Sequence, residues 1–338
     1  MLIFDTVGYD TIGLRLKAID ALNVNFIKET TKYFDVAGSY KPKNSECRYY
    51  HGNLDGLKIS TSENGLSIKE GSLCKWYKGN NIETLGRVDT KFAIEKLSDT
   101  LHLPMDKAFV HRLDVAKTIP IKYPVCVYLA HLGELKGFKR MPVVNKNIGE
   151  GLYYFPNNKE QNMILIFYDK NAEHGEKGCS IYIHYSNKHL FRFEQRYKSG
   201  FSKIFGKLIR ANMLYNRDFY DDIVFRWVEA YKAIQKVNNI SLDFTKLQGK
   251  RDLYTMGILA LVELEGGQLA FLSQIEEARK IGQINNKQVF DIREAINDSC
   301  NKLETGFTVM NDCIIELDRK MEKIEKQYDN RSKINKYE

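Results

Sequence analysis

Three short segments, residues 108–119, 163–169 and 190–197, constrain the fold of this chain more than anything else in it. In each, apolar side chains alternate with others, the period of a β-strand whose successive side chains point to opposite faces. In "AFVHRLDVAKTI" (108–119) Val110, Arg112 and Asp114 share a face. In "MILIFYD" (163–169) Ile164, Ile166 and Tyr168 share one, and Asp169 points away. In "LFRFEQRY" (190–197) Arg192, Glu194 and Arg196 lie opposite Phe191, Phe193 and Tyr197. Strands this apolar are buried, and buried polar groups must pair. If the three strands are neighbours, one face gathers Asp114, Glu194, Tyr168 and two arginines.

The rest of the pattern fills in around them. Residues 55–71 alternate about Glu63, Asn64 and Gly65, a hairpin with Asn-Gly at its turn. A helix is predicted from Asp89 or Thr90 to just before Pro104, with Phe92, Ala93, Leu97 and Leu101 on one face. Residues 217–237 form another, with Phe219, Ile223, Trp227, Ala230 and Ile234 facing the core. Gly175, Gly178 and Asn187 suit loops. From about Arg251 strand patterns stop, and four helical segments follow, broken near Gly266-Gly267, residues 282–286 and Thr305-Gly306. The expected class is α+β: an antiparallel-sheet catalytic domain over residues 1–245 and a mainly helical C-terminal domain over 246–338.

Composition excludes several classes. With 43% hydrophobic and 28% charged residues in 338, the chain has the apolar content of a globular protein. Its six cysteines, Cys47, Cys74, Cys126, Cys179, Cys300 and Cys313, have no metal-ligand spacing and read as reduced thiols of a cytoplasmic protein. Asp5 and Asp10 stand where a signal peptide would be apolar, and no run approaches the length of about 18 apolar residues that a span requires, so no membrane partner is expected. The net charge of +8 leans towards a polyanionic partner. None of the seven histidines forms HxH or HExxH; His111, His184 and His189 read as structural. "GFSKIFGKL" (200–208) has the wrong spacing for a phosphate loop, and Leu208 stands where Ser or Thr would hold Mg²⁺.

Two readings of the polar strand face remain open. One is a set of salt bridges among Asp114, Glu194, Arg112 and Arg192. The other is a carboxylate site for Mg²⁺ or Mn²⁺, with Tyr168 beside it for phosphoryl transfer. Residues 192–210 are open in the same way. They hold Arg192, Arg196, Lys198, Lys203, Lys207 and Arg210 against one acid, Glu194. As a helix, Lys203, Lys207 and Arg210 share a face, with Tyr197, Phe201 and Phe205 interleaved. Cations that neutralise phosphates and aromatics that stack bases suit single-stranded nucleic acid. The bland alternative is an amphipathic helix with an aromatic core and solvated lysines.

In order and spacing, "HRLDVA" (111–116), "FYDKNAE" (167–173) and "FRFEQRY" (191–197) resemble the replication initiators of the filamentous-phage gene II/X type and the related plasmid rolling-circle Rep proteins. The family pattern, R-[LI]-D-x-[AT], then Y-x-K-x-x-E, then R-x-E, is met at Arg112-Leu113-Asp114, at Tyr168, Lys170 and Glu173, and at Arg192 and Glu194. "LCKWYKGNNIETL" (73–85) is similar to the family's K-x-x-x-G-[NH]-N segment through Lys75, Gly79 and Asn81. The resemblance implies a rolling-circle initiator, a metal-dependent DNA nickase-ligase. Its tyrosine forms a 5′-phosphotyrosyl link and frees a 3′-OH primer. Tyr168 would be the nucleophile and Lys170 would stabilise phosphate charge. Asp114, Glu194 and Glu173 would form the site for Mg²⁺ or Mn²⁺.

The resemblance implies single-stranded and origin DNA as partners; for the helical C-terminal domain, binding of duplex origin DNA, recruitment of a host helicase and replication proteins, and pairing with a second copy in a homodimer stay open. Tyr197 is the nearest second tyrosine for termination, though its strand face points the wrong way. The chemistry agrees: a phenol with a pKa near 10 needs a cation or a neighbouring carboxylate to attack at neutral pH. A tyrosine ester also conserves the bond energy, so rejoining needs no ATP. The competing functions are a non-catalytic DNA-binding protein on the same fold, and a metal-dependent nuclease in which Tyr168 only positions substrate.

Overall fold

In a computed structural model, residues 6–21, 26–43, 46–145, 149–158, 162–176, 188–303 and 306–334 are described. The chain runs through β1 (Gly8–Lys17), β2 (Asp35–Tyr40), β3 (Tyr49–Leu54), β4 (Leu57–Ser62), β5 (Gly65–Glu70), β6 (Phe109–Ile121), β7 (Phe138–Asn145), β8 (Gly149–Pro156), β9 (Met163–Asp169) and β10 (His189–Tyr197). These strands form one sheet in the order β2-β3-β4-β5-β1-β6-β10-β9-β8-β7. Every pairing in it is antiparallel. The three alternating segments are therefore adjacent, as β6, β10 and β9. The hairpin is also present: Ser62 pairs with Gly65, leaving Glu63 and Asn64 as the turn.

Among the described residues the chain also forms the helices α1 (Phe26–Thr30), α2 (Leu73–Lys78), α3 (Arg87–Leu101), α4 (Val125–Ala130), α5 (Lys170–Glu176), α6 (Phe201–Phe205) and α7 (Arg217–Lys232). One sheet face is sealed by α7. Asn216 caps this helix by accepting from the Phe219 amide. Its buried stripe runs through Phe219, Tyr220, Ile223, Val224, Trp227, Val228 and Tyr231. Phe193 of β10 lies between Phe167 of β9 and Trp227, with both ring separations 4.4 Å. Tyr9 of β1 meets Tyr220 edge-on at 5.7 Å.

Some expectations shift. The helix predicted from Asp89 starts at Arg87 and buries Thr90, Ala93, Ile94, Leu97 and Leu101, which leaves Phe92 49% exposed. Strand β6 continues through Pro120, opposite Leu190, to Ile121. Gly175 lies in α5 rather than in a loop, while Gly178, Asn187, His184 and Cys179 fall outside the described residues. Of the other cysteines, Cys74, Cys300 and Cys313 are buried, and all five are free.

The helical segments are α8 (Lys250–Leu264), α9 (Gln268–Lys280), α10 (Asn286–Asn301) and α11 (Asp312–Ile334), broken where glycine and asparagine predicted. By internal contacts the chain divides into residues 1–125, 135–233 and 320–338 on one side, and 126–134 with 234–319 on the other. One cut in the chain does not separate these units. Residues 126–134 join the second through Tyr128, which donates to Glu316, and Glu134, which pairs with Arg293. The second unit has its own core, from Met256, Leu259 and Val262 to Ile296 and Phe307. Among the described residues, no single helix is long and apolar enough to cross a membrane.

Because Trp227 is fully buried against β10, Trp227→Ala should cost about 3–5 kcal/mol of unfolding free energy in denaturant titrations. A loss under about 1 kcal/mol would mean that α7 does not seal this face.

Candidate active site

The open sheet face is organised by strand register. Across β10 and β6, Arg196 is opposite Asp114, Glu194 opposite Ala116, and Arg192 opposite Thr118. Across β10 and β9, Arg192 is opposite Tyr168 and Glu194 opposite Ile166. Directly opposed residues share a face, so Asp114, Tyr168, Arg192, Glu194 and Arg196 converge on it.

At the end of β9, Asp169 turns the strand into α5. Its carboxylate accepts from the Asn171 amide at 2.8 Å and the Ala172 amide at 3.4 Å, capping the orphan N–H groups of the first turn. Lys170 and Glu173, three residues apart, thus fall on neighbouring positions of that turn, with Lys170 Nζ 2.5 Å from Glu173 Oε2. The Tyr168 hydroxyl donates to Glu194 Oε1 at 2.8 Å, with Glu173 Oε2 3.2 Å away.

Arg192 is wholly buried beneath this cluster. Its Nε donates to Glu194 Oε1 at 3.3 Å, and its Nη1 to Thr118 Oγ1 at 2.9 Å and to the Ile82 carbonyl at 3.3 Å. Its Nη2 lies 3.1 Å from Asp10 Oδ2, out of line for a hydrogen bond, so that contact is an ion pair alone. Asp10, which sequence reasoning missed, sits where the β1–β6 register slips between Tyr9 and Ile12, and Ser72 Oγ donates to it at 2.5 Å. The segment carrying Lys75, Gly79 and Asn81 supplies the Ile82 carbonyl. Gly79 ends α2 at φ 80°, a left-handed conformation that suits glycine, and the Asn80 side chain accepts from the Ile82 amide at 3.1 Å.

At the mouth, Arg196 bridges Asp114 Oδ2 at 2.9 Å and Glu194 Oε2 at 3.2 Å, and Arg112 grips both oxygens of Asp114 at 3.1 and 2.6 Å. These two arginine side chains keep 26% and 25% exposure. Tyr153 of β8, opposite Ile166, also faces the site and stacks on Phe155 at 5.7 Å.

Electrostatics follow from burial and pairing. Burial, then the charge of Glu194, pushes the Tyr168 hydroxyl well above the ordinary tyrosine range, so it is protonated at neutral pH. Burial alone would raise Glu194, but Arg192 and Arg196 outweigh it and hold this carboxyl below its usual range. For Asp114 burial wins over its arginines, and its pKa rises. Burial, with Arg192 nearby, lowers that of Lys170.

The resemblance assigns Asp114, Glu173 and Glu194 to one divalent cation, and the arrangement differs. Glu173 and Glu194 meet at the Tyr168 hydroxyl, whereas Asp114 is engaged by Arg112 and Arg196. Among the described residues no three His, Cys, Asp or Glu side chains group as metal ligands. The carboxylates of Asp10, Asp114, Glu173 and Glu194 are matched by Arg112, Lys170, Arg192 and Arg196. Hard cations need carboxylate oxygens with charge to spare, so the residues as arranged do not fit Mg²⁺ or Mn²⁺.

The basic segment also differs from expectation. Helix α6 ends at Phe205, followed by Gly206 at φ 68°, so Lys203, Lys207 and Arg210 share no helical face. Tyr197, Phe201 and Phe205 pack on one another, and Phe205 on Phe219; Tyr197 and Phe201 are buried core, and Phe205 is half-buried at its edge. Arg192 is too buried to reach DNA. Arg210 pairs with Asp20 at 3.1 Å and lies over the Phe109 ring. Lys198, Lys203 and Lys207 are exposed.

A sheet-borne tyrosine held between carboxylates and buried cations, on the N-terminal 220 residues or so, defines the class of site. Residues 8–219, more than half of the chain, match the N-terminal region of the phage replication-associated protein family, that of the gene II protein, and the protein belongs to that family. This is the kinship to which the three motifs pointed. The rolling circle replication initiator protein from Geobacillus stearothermophilus is similar at 13% identity, with a TM-score of 0.35, over 74% of this chain and 94% of that one. No curated protein is significantly similar in sequence.

Glu194→Gln removes the charge that most raises Tyr168 after burial itself. The tyrosinate absorbance specific to Tyr168, taken as the difference from Glu194→Gln/Tyr168→Phe, should then appear at lower pH than in the parent chain. An unmoved onset would separate the two residues. Stability should fall above about pH 10, where the unfolded chain releases phenolic protons that buried Tyr9, Tyr168 and Tyr220 retain.

Proposed function

We propose that this protein initiates rolling-circle DNA replication by nicking one strand at its origin through a covalent 5′-phosphotyrosine intermediate at Tyr168. The observation that carries the reading is the Tyr168 hydroxyl donating to Glu194 at 2.8 Å, beside Glu173 and the buried Lys170. As Tyr168 Oη bonds to phosphorus, its proton passes to the carboxylate that holds it. The P–O3′ bond breaks, its electron pair stays on the 3′ oxygen, and that oxygen takes up a proton to become the 3′-OH primer. Rejoining reverses the same exchange, with the carboxylate and the phenol trading roles.

Arg112 and Arg196, partly exposed at the mouth, are the guanidiniums placed to meet the incoming phosphodiester. Exposed Lys198, Lys203 and Lys207 extend the cationic surface beyond the strand end. Arg192 has a different role: it holds Glu194 and Asp10 in place and touches no substrate. The family resemblance implies a dependence on Mg²⁺ or Mn²⁺ that the matched carboxylates do not fit as they stand, and no step above passes through an ion.

The test uses single-stranded origin DNA labelled 3′ of the cleavage point. The label should travel with the protein through denaturing electrophoresis, and Tyr168→Phe should abolish it while still binding the DNA. An adduct that survives in Tyr168→Phe would assign the nucleophile elsewhere. Cleavage without protein-bound label would favour a hydrolytic nuclease, and binding without cleavage a non-catalytic DNA-binding protein.

A further inference from the structure

The same sheet face carries a second surface, well away from Tyr168. On β1, Arg15 and Lys17 alternate with buried Leu14 and Leu16. Register places Arg15 opposite Ser67 of β5, Ser67 opposite Ser60 of β4, and Tyr40 of β2 opposite Tyr49 of β3. Together with Lys69 these residues line a groove of about 780 Å³ into which no described acidic side chain projects. Tyr40 and Tyr49 stack at 5.4 Å and 15°, and Tyr40 is 46% exposed.

The groove's cations are available. Among the described residues neither Arg15 nor Lys69 has a carboxylate partner, and Lys17 rests on the Phe109 ring at 5.3 Å. On the floor, the Ser67 hydroxyl is buried without a hydrogen-bond partner. Small serines keep that floor low, and a cationic groove with a stacked aromatic wall complements a chain of phosphates and unpaired bases.

The groove is also continuous with the candidate active site. Gly13 of β1 pairs with Arg112, and the register slips immediately afterwards. His111 then folds over Gly13, where any Cβ would come within 2.7 Å of the imidazole. The charges of Arg15, Lys69 and Arg112 all act on that imidazole, so basic groups run from the groove to the Asp114 side of the site. Six strand-to-strand steps separate Tyr168 from Tyr49, roughly 29 Å at the usual strand spacing.

We infer that this groove binds single-stranded DNA, holding a stretch of the nicked strand several nucleotides from the scissile phosphate with bases stacked on the Tyr40–Tyr49 wall. The inference rests on the nickase reading for its substrate. It adds a second anchoring point that motif positions do not mark.

Fluorescence anisotropy of the full chain against a short oligonucleotide of about four nucleotides and a long one of about sixteen spans the relevant site sizes. Tyr40→Leu should weaken the long oligonucleotide about tenfold, and Tyr40→Phe should restore the affinity. Lys69→Gln should reduce the slope of log affinity against log salt by about 0.7. The short oligonucleotide should bind all variants alike. Unchanged long-oligonucleotide affinity and salt slope in both Tyr40→Leu and Lys69→Gln would overturn the inference, as would losses seen only with blunt duplex. Failure of the nickase reading looks different: the parent chain would bind the long oligonucleotide and form no Tyr168 adduct.

Discussion

The guanidinium of Arg192 is the contact on which the rest of the site depends. From inside the sheet it reaches a carboxylate on β1, a hydroxyl on β6, the carbonyl of Ile82 beyond α2, and Glu194 on its own strand. A charge taken fully out of water is costly unless it is paired and hydrogen-bonded, and removing one partner of such a group typically costs about 3–5 kcal/mol. The buried cation therefore fixes where Asp10 and Glu194 can stand. Glu194 in turn fixes the Tyr168 hydroxyl, so the phenol is aimed by a chain of contacts that begins at a wholly buried residue.

That arrangement separates two kinds of basic group which look identical in a sequence. Lys170 and Arg192 are enclosed and hold carboxylates; Arg112 and Arg196 hold Asp114 yet keep a quarter of their surface in water. The second kind can meet a phosphate from where it stands, whereas Arg192 would have to leave the sheet to do so. The proposed groove beyond Gly13 extends the same logic, because Arg15 and Lys17 project from strand positions that alternate with buried Leu14 and Leu16, and Lys69 follows buried Ile68.

Much of this was legible in the alternation of three segments, since strand period alone placed Tyr168, Glu194 and Asp114 on shared faces. Their adjacency was not legible: β9 and β10 are neighbours in the chain, but β6 comes between β1 and β10 through pairings that span long stretches of sequence. Asp10 escaped because it sits in a strand that is otherwise almost continuously buried, where a carboxylate gives no periodic signal. Arg192 read as a phosphate ligand because charge in a sequence carries no information about depth. The supposed basic helix failed at Gly206, whose left-handed backbone ends α6 before Lys207. Residues 126–134 read as part of the sheet domain, yet Tyr128 and Glu134 find their partners in the helical unit.

The pairing of four carboxylates with four cations has a consequence for the direction of the proposed reaction. A DNA phosphodiester carries one negative charge, and so does the phosphotyrosine diester that replaces it. A pocket whose own charges cancel gains no electrostatic preference for either, and its carboxylates and arginines need not rearrange their charge as one ester becomes the other. On the proposed mechanism strand opening and strand closing then lie close in free energy, and the availability of a free 3′ end, rather than the pocket, sets which of them proceeds.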